Sequence, residues 1–80
     1  MFSLRIYKFQ EEMIPVEGVV RLVLETECGR CEVLSGHEPF FTVLKEGDVC
    51  YWQGAGEKKK LPIAKGFFQF TKETGTLWLH

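Results

Sequence analysis

Apolar and polar residues alternate at the start of the chain, with Phe2, Leu4 and Ile6 on one side of an extended backbone and Ser3, Arg5 and Tyr7 on the other. This is the period-two signature of a half-buried strand. The same reading predicts strands over Val19–Leu24, Asp48–Gln53, Lys59–Ile63, Phe67–Thr71 and Thr76–Leu79, a short strand and turn over Glu32–Gly36, and a tight hairpin turn at Lys72-Glu73-Thr74-Gly75. Glycines at 18, 29, 36, 47, 54, 56, 66 and 75 punctuate the chain at the spacing of turns between short strands. No segment carries a helical period. The best helix formers, Gln10-Glu11-Glu12-Met13, lie just before Pro15 and are too few to nucleate a helix. The expected fold is all-β, a small antiparallel β-sandwich of short strands occupying residues 1–80 as one domain.

Two predicted strands carry more apolar surface than such a sandwich can hide. Val20, Leu22 and Leu24 alternate against Val19 and Val23, and Phe67-Phe68-Gln69-Phe70 places aromatic rings on both sides. A sandwich strand offers one face to the core and one to water, so the surplus points to a partner surface; the alternative is a strand at the centre of a closed barrel end, or scattered exposed apolar residues of the ordinary kind.

Composition narrows the function. With 80 residues, the chain has room for a single core. Ten Lys and Arg against eleven Asp and Glu give a net charge of −1, which supplies no field for polyanions. The longest apolar stretch, Val19–Leu24, is interrupted by Arg21 and falls far short of the roughly 20 residues of a membrane-spanning helix. The first residues lack the pattern of a secretory signal, and three cysteines, an odd number, fit a reducing compartment.

The candidate chemistry is thin. Cys28-Gly29-Arg30-Cys31 has the Cys-x-x-Cys spacing of thiol exchange or zinc sites, but a strand rather than a helix is expected to follow it. His37 and Cys50 would complete a zinc set only without the second close pair of a zinc ribbon. Lys58-Lys59-Lys60 with Phe67, Phe68 and Phe70 resembles a barrel that stacks bases and neutralises phosphates, yet lysines beside a glycine turn also guard an edge strand. A small single-strand nucleic-acid-binding β-barrel is therefore the runner-up, and a zinc or thiol module built on Cys28 and Cys31 the third reading. No nucleophile with a base, catalytic residue, metal set or cofactor loop emerges, so the chain is expected to be non-catalytic and without cofactor or metal.

Taken as one string, Leu22-Val23-Leu24-Glu25-Thr26-Glu27-Cys28-Gly29-Arg30-Cys31-Glu32-Val33-Leu34-Ser35-Gly36-His37-Glu38-Pro39 resembles the N-terminal β-sandwich of the epsilon subunit of F-type ATP synthases. That family reads apolar-Val-Leu-Pro-Thr, a glycine-centred acidic turn, then apolar-Leu-Pro-Gly-His-Ala-Pro. Val16-Glu17-Gly18-Val19-Val20, Thr42-Val43-Leu44-Lys45-Glu46-Gly47, Ile63-Ala64-Lys65-Gly66-Phe67-Phe68-Gln69-Phe70 and Thr76-Leu77-Trp78-Leu79 extend the resemblance from Leu4 to Leu79. The departures mark a divergent member. Glu25 and Ser35 stand for prolines, Cys28 and Arg30 for acidic residues, Cys31 for a leucine and Glu32 for a glycine. The family's C-terminal helical hairpin has no counterpart in these residues.

The resemblance implies a non-catalytic rotor component of the central stalk, bound to the gamma subunit and resting on the membrane c-ring, with no direct membrane insertion. It would couple ion-driven rotation to ATP synthesis from the cytoplasmic face of the membrane or its organellar equivalent. On this resemblance, Cys28, Gly29 and Arg30 together with Gly36 and His37 would form the ring-facing end, and Phe41 and Thr42 would face gamma. The acidic-to-cationic change at Arg30 implies an acidic or carbonyl-rich partner loop there.

Overall fold

A computed structural model describes residues 1–80 as eight strands with no helix. They are β1 (Phe2–Lys8), β2 (Ile14–Thr26), β3 (Gly29–Val33), β4 (Phe40–Leu44), β5 (Gly47–Gln53), β6 (Lys58–Ile63), β7 (Gly66–Thr71) and β8 (Thr74–Leu79). The long strand β2 belongs to two layers. Its first half, Ile14–Val19, pairs with β1, which leads on through β8 and β7 to β4; its second half pairs with β3 on one edge and with β5, then β6, on the other. The layers also meet where Thr26 pairs with Leu44, and this contact is extended by hydrogen bonds from Glu27 N to Val43 O (3.2 Å) and Lys45 N to Glu25 O (3.1 Å).

All pairs are antiparallel except one. β1 runs parallel to β8, with Leu4 opposite Gly75 and Ile6 opposite Leu77. Nothing in the local pattern of either strand signals that pairing.

The core lies between the layers. Leu4, Phe68, Phe70 and Leu77 enter from one side and Leu22, Leu24, Val33 and Val49 from the other, each at most 1% exposed. Each fully buried aliphatic or aromatic side chain of this kind contributes about 1.5–3 kcal/mol.

Strand β2 corrects the face count made from sequence. Its buried residues are Val16, Val19, Leu22, Leu24 and Thr26, a spacing of three, three, two and two. Two bulges cause it. Between Leu4 and Phe2 of β1 one extra β2 residue is inserted, where Gly18 takes a left-handed φ of 68°. Against β5 the register shifts again between Val19 and Arg21. A bulge leaves one residue unpaired and flips the alternation that follows, so Val19 and Leu22 share the core face, while Val20 and Val23 are only half-buried on the other. The apolar surplus on this strand is therefore smaller than the strict alternation predicts.

Strand β7 keeps its surplus. Phe68 and Phe70 are buried, whereas Phe67 is 48% exposed. Strand β4, whose unbroken Phe40-Phe41-Thr42-Val43-Leu44 run gives no alternation to read, adds outward Phe41 and Val43.

Candidate functional site

The hairpin joining β2 to β3 turns through Glu27 and Cys28. Thr26 Oγ1 donates to Gly29 O (2.6 Å) and accepts from Cys28 N (3.1 Å), which closes the turn from inside. Gly29 takes a φ of 115°, a conformation few side chains tolerate. At the tip Cys28 is exposed, and the side chain of Arg30 is 75% exposed while its Nε donates to Glu25 Oε2 at 2.8 Å. Arg30 thus has a partner within the chain and still presents most of its guanidinium to the surroundings.

Gly36 and His37 lie elsewhere. Strand β3 starts in the hairpin tip at Gly29 and ends at Val33, three residues before Gly36, and its extended length of about 13 Å carries the two apart. The single ring-facing end expected from sequence is therefore divided between two ends of β3. The loop after β3 is fastened to the β7–β8 turn instead. Ser35 Oγ donates to the Glu73 carboxylate, and Gly36 N donates to Glu73 Oε1 at 2.7 Å. These donors, Ser35 first, hold the Glu73 carboxyl below its ordinary range. His37 Nδ1 is 2.7 Å from Glu38 O, and its ring lies 4.8 Å from that of Phe40 and 6.1 Å from that of Phe70. This imidazole braces a loop against the rim of the core.

The thiols are not assembled. Cys28 is exposed in the turn, Cys31 packs against the core, and Cys50 lies on the outward face of β5 between Val49 and Tyr51, which point inward. Burial pushes the Cys31 thiol upward. No three His, Cys, Asp or Glu side chains gather into a metal-binding group. The base-stacking alternative loses its platform as well. Phe68 and Phe70 are buried, and Lys58–Lys60 lie on β6 of the other layer from Phe67.

A surface the sequence reading did not assemble crosses the outside of the first layer. Val43 is directly opposite Phe67, Phe67 opposite Trp78 and Trp78 opposite Tyr7, so four strands contribute one outward residue each to a continuous row. All four are 37–48% exposed. The rings reinforce one another, with Tyr7 stacked on Trp78 at 6.3 Å and Phe41 on Phe67 at 5.8 Å. Phe41, the most exposed of the group at 59%, begins a second row that continues through Gln69, Thr76 and Arg5. Thr42, its predicted companion, points to the core side and is half-buried. A groove of about 740 Å³ follows the first row, with Lys8, Lys65 and Glu27 among its lining. The outward parity of Tyr7 and Phe67 was readable from sequence, but their alignment depends on long-range register.

The outer face of the second layer has a different character. Arg21 pairs with Glu32 and lies 4.7 Å from the Trp52 ring centre, Arg30 pairs with Glu25, and Lys60 is 3.8 Å from Asp48. Three of its cations are answered by carboxylates across neighbouring strands, and Lys58 beside them is not.

Solved structures share this architecture. A chain of the Euglena gracilis mitochondrial ATP synthase, in a cryo-EM structure of OSCP/F1/c-ring in rotational state 1, superimposes with a TM-score of 0.83 at 22% identity over 95% of this chain and 48% of that one. A chain of the Tetrahymena thermophila mitochondrial ATP synthase central stalk and c-ring gives 0.76 at 11% identity, over 96% of this chain and 61% of that one. The present chain thus spans about half to three-fifths of the chains it matches. No curated relative matches the sequence. The family model described as "ATP synthase, Delta/Epsilon chain, beta-sandwich domain" matches residues 1–77, so from its first strand to the middle of its last, this chain belongs to the ATP synthase delta/epsilon β-sandwich family.

Proposed function

We propose that this chain acts as a non-catalytic central-stalk subunit of a rotary F-type ATP synthase, tying the gamma shaft to the c-ring during ion-driven ATP synthesis. The observation that carries the reading is the family match over residues 1–77. The outward row of Val43, Phe67, Trp78 and Tyr7 supports it, because a load-transmitting block needs an apolar attachment face in addition to its own core. In this reading that row, with Phe41 at its margin, meets gamma. The hairpin tip of Cys28, Gly29 and Arg30 faces the ring, and the Gly36-His37 loop braces the opposite end of β3. The subunit works on the membrane face that carries the catalytic head, without entering the bilayer.

Co-expression with the cognate gamma subunit and c-ring tests the proposal. The chain should co-purify with both, and a cross-linker placed at Cys28 should reach a ring loop. Failure to associate with either partner overturns the reading.

A further inference from the structure

The segment between β3 and β4, Leu34–Pro39, crosses from one layer to the other with little to hold it. All six of its residues are exposed, and its one main-chain hydrogen bond is internal, from His37 N to Leu34 O at 3.1 Å. Both hydrogen bonds that tie it to the β7–β8 turn, from Ser35 Oγ and from Gly36 N (2.7 Å), end on the carboxylate of Glu73. That anchor is itself firmly set. Glu73 O accepts from Ser3 N at 3.1 Å, and the turn holds Glu73 at a left-handed φ of 58° where glycine would be unstrained. Beneath the segment lies aromatic surface. The His37 ring stands 4.8 Å from Phe40 and 6.1 Å from Phe70, and Phe70 in turn meets Phe2 at 5.4 Å.

From this convergence on one side chain we infer that residues 34–39 form a strap that opens as a unit, with both layers intact, whenever Glu73 loses its charge. Closed, this end of the sandwich presents Ser35, Gly36 and His37; open, it presents the rings of Phe40 and Phe70. A segment opens locally where few buried apolar contacts are lost, and here only those of the His37 ring are. The charged groups around the latch are few. Lys72 adjoins Glu73 in the turn, the Met1 amino group lies 3.5 Å from Ser35 Oγ, and Glu17 accepts from Ser3 Oγ at 2.6 Å. His37 faces the Glu38 carbonyl and the two rings. The strap belongs to the fold alone and does not depend on the rotor assignment.

Native-state hydrogen exchange on the full chain, followed by NMR in increasing urea, tests it. The Gly36 and His37 amides should exchange through an opening that urea barely accelerates, while the amides of β7 and β8 exchange through one that urea accelerates steeply. Glu73→Gln should speed Gly36 and His37 about tenfold, the difference between a charged and a neutral acceptor, still without urea dependence. Ser35→Ala, which leaves Gly36 N as the donor, should fall between. The His37 ring protons should move toward their free-chain positions in Glu73→Gln, as the imidazole leaves the two rings. Protection of both amides should fall as pH drops below 4.5 and stay level between about pH 6 and 8, where a histidine switch would act. A urea slope shared with β7 and β8, no protection of either amide in the parent, unchanged rates in Glu73→Gln, or a step between about pH 6 and 8 would each overturn the inference.

Discussion

Gly66 passes so close to the main-chain carbonyl of Trp78 that a Cβ at position 66 would collide with it, and the same Cβ would meet Leu79 Cδ2 at 3.1 Å. The first contact is with backbone, which cannot swing aside as a side chain end can. Gly66→Ala is expected to destabilise the fold by about 1–3 kcal/mol, the range for overpacking. Urea unfolding should show a lower midpoint with an unchanged slope.

Neighbouring residues on β8 should separate stability from attachment. Leu77 is fully buried and Trp78 is 39% exposed. Leu77→Ala should cost about 2–5 kcal/mol. Trp78→Ser gives up a half-covered ring stacked on Tyr7 and should cost less than Leu77→Ala, about 1–2 kcal/mol, and yet abolish co-purification with gamma. Equilibrium unfolding and pull-down on the two variants check both halves.

The β7–β8 turn holds two non-glycine residues in the left-handed region, Lys72 at φ 50° and Glu73 at φ 58°. Right-handed strand twist demands this turn geometry, and asparagine tolerates the first position better than lysine. Lys72→Asn should stabilise the domain by about 0.5 kcal/mol, read as a rise in thermal midpoint. Glu73→Gly relieves the backbone but removes the acceptor of Ser35 and Gly36, and it should loosen the 34–39 loop in hydrogen exchange.

Glu73 also predicts an acid dependence. Its folded-state carboxyl titrates below the ordinary value of 4.5 because Ser35 and Gly36 donate to the ionised form. The stabilisation is therefore complete above pH 4.5 and disappears as pH falls through the folded value. Glu73→Gln should flatten that part of the stability profile, measured by urea midpoints between neutral and acidic pH.

Thiol reactivity should follow exposure. Cys28 stands free in the turn, and burial raises the Cys31 thiol. Iodoacetamide at neutral pH should modify Cys28 first and Cys31 more slowly, as peptide mass spectrometry would show.

Much of the fold was legible because period-two patterns are local. Phe2–Tyr7 and Phe67–Thr71 announce their strands and their inward faces. What escaped depends on distant partners. Val16, Val19 and Leu22 share a face only because bulges against β1 and β5 absorb the extra residues. Phe40–Leu44 becomes a strand by lying between β2 and β7.

The candidate site was legible in its parts but not in its grouping. Closeness in sequence suggested that Arg30 and His37 share an end, but an intervening extended strand carries them apart. Tyr7, Val43, Phe67 and Trp78 are scattered through the chain, and only pairing across four strands aligns them.

The parallel union of β1 and β8 constrains how the fold closes. Leu4 and Ile6 find partners on β2, at Val16 and Ile14, close by in sequence, whereas Gly75 and Leu77 on their other side come from the far end of the described chain. Closing so long a loop costs entropy that neighbouring hairpins do not meet, so this edge joins late and makes folding slower than the local strand patterns alone suggest.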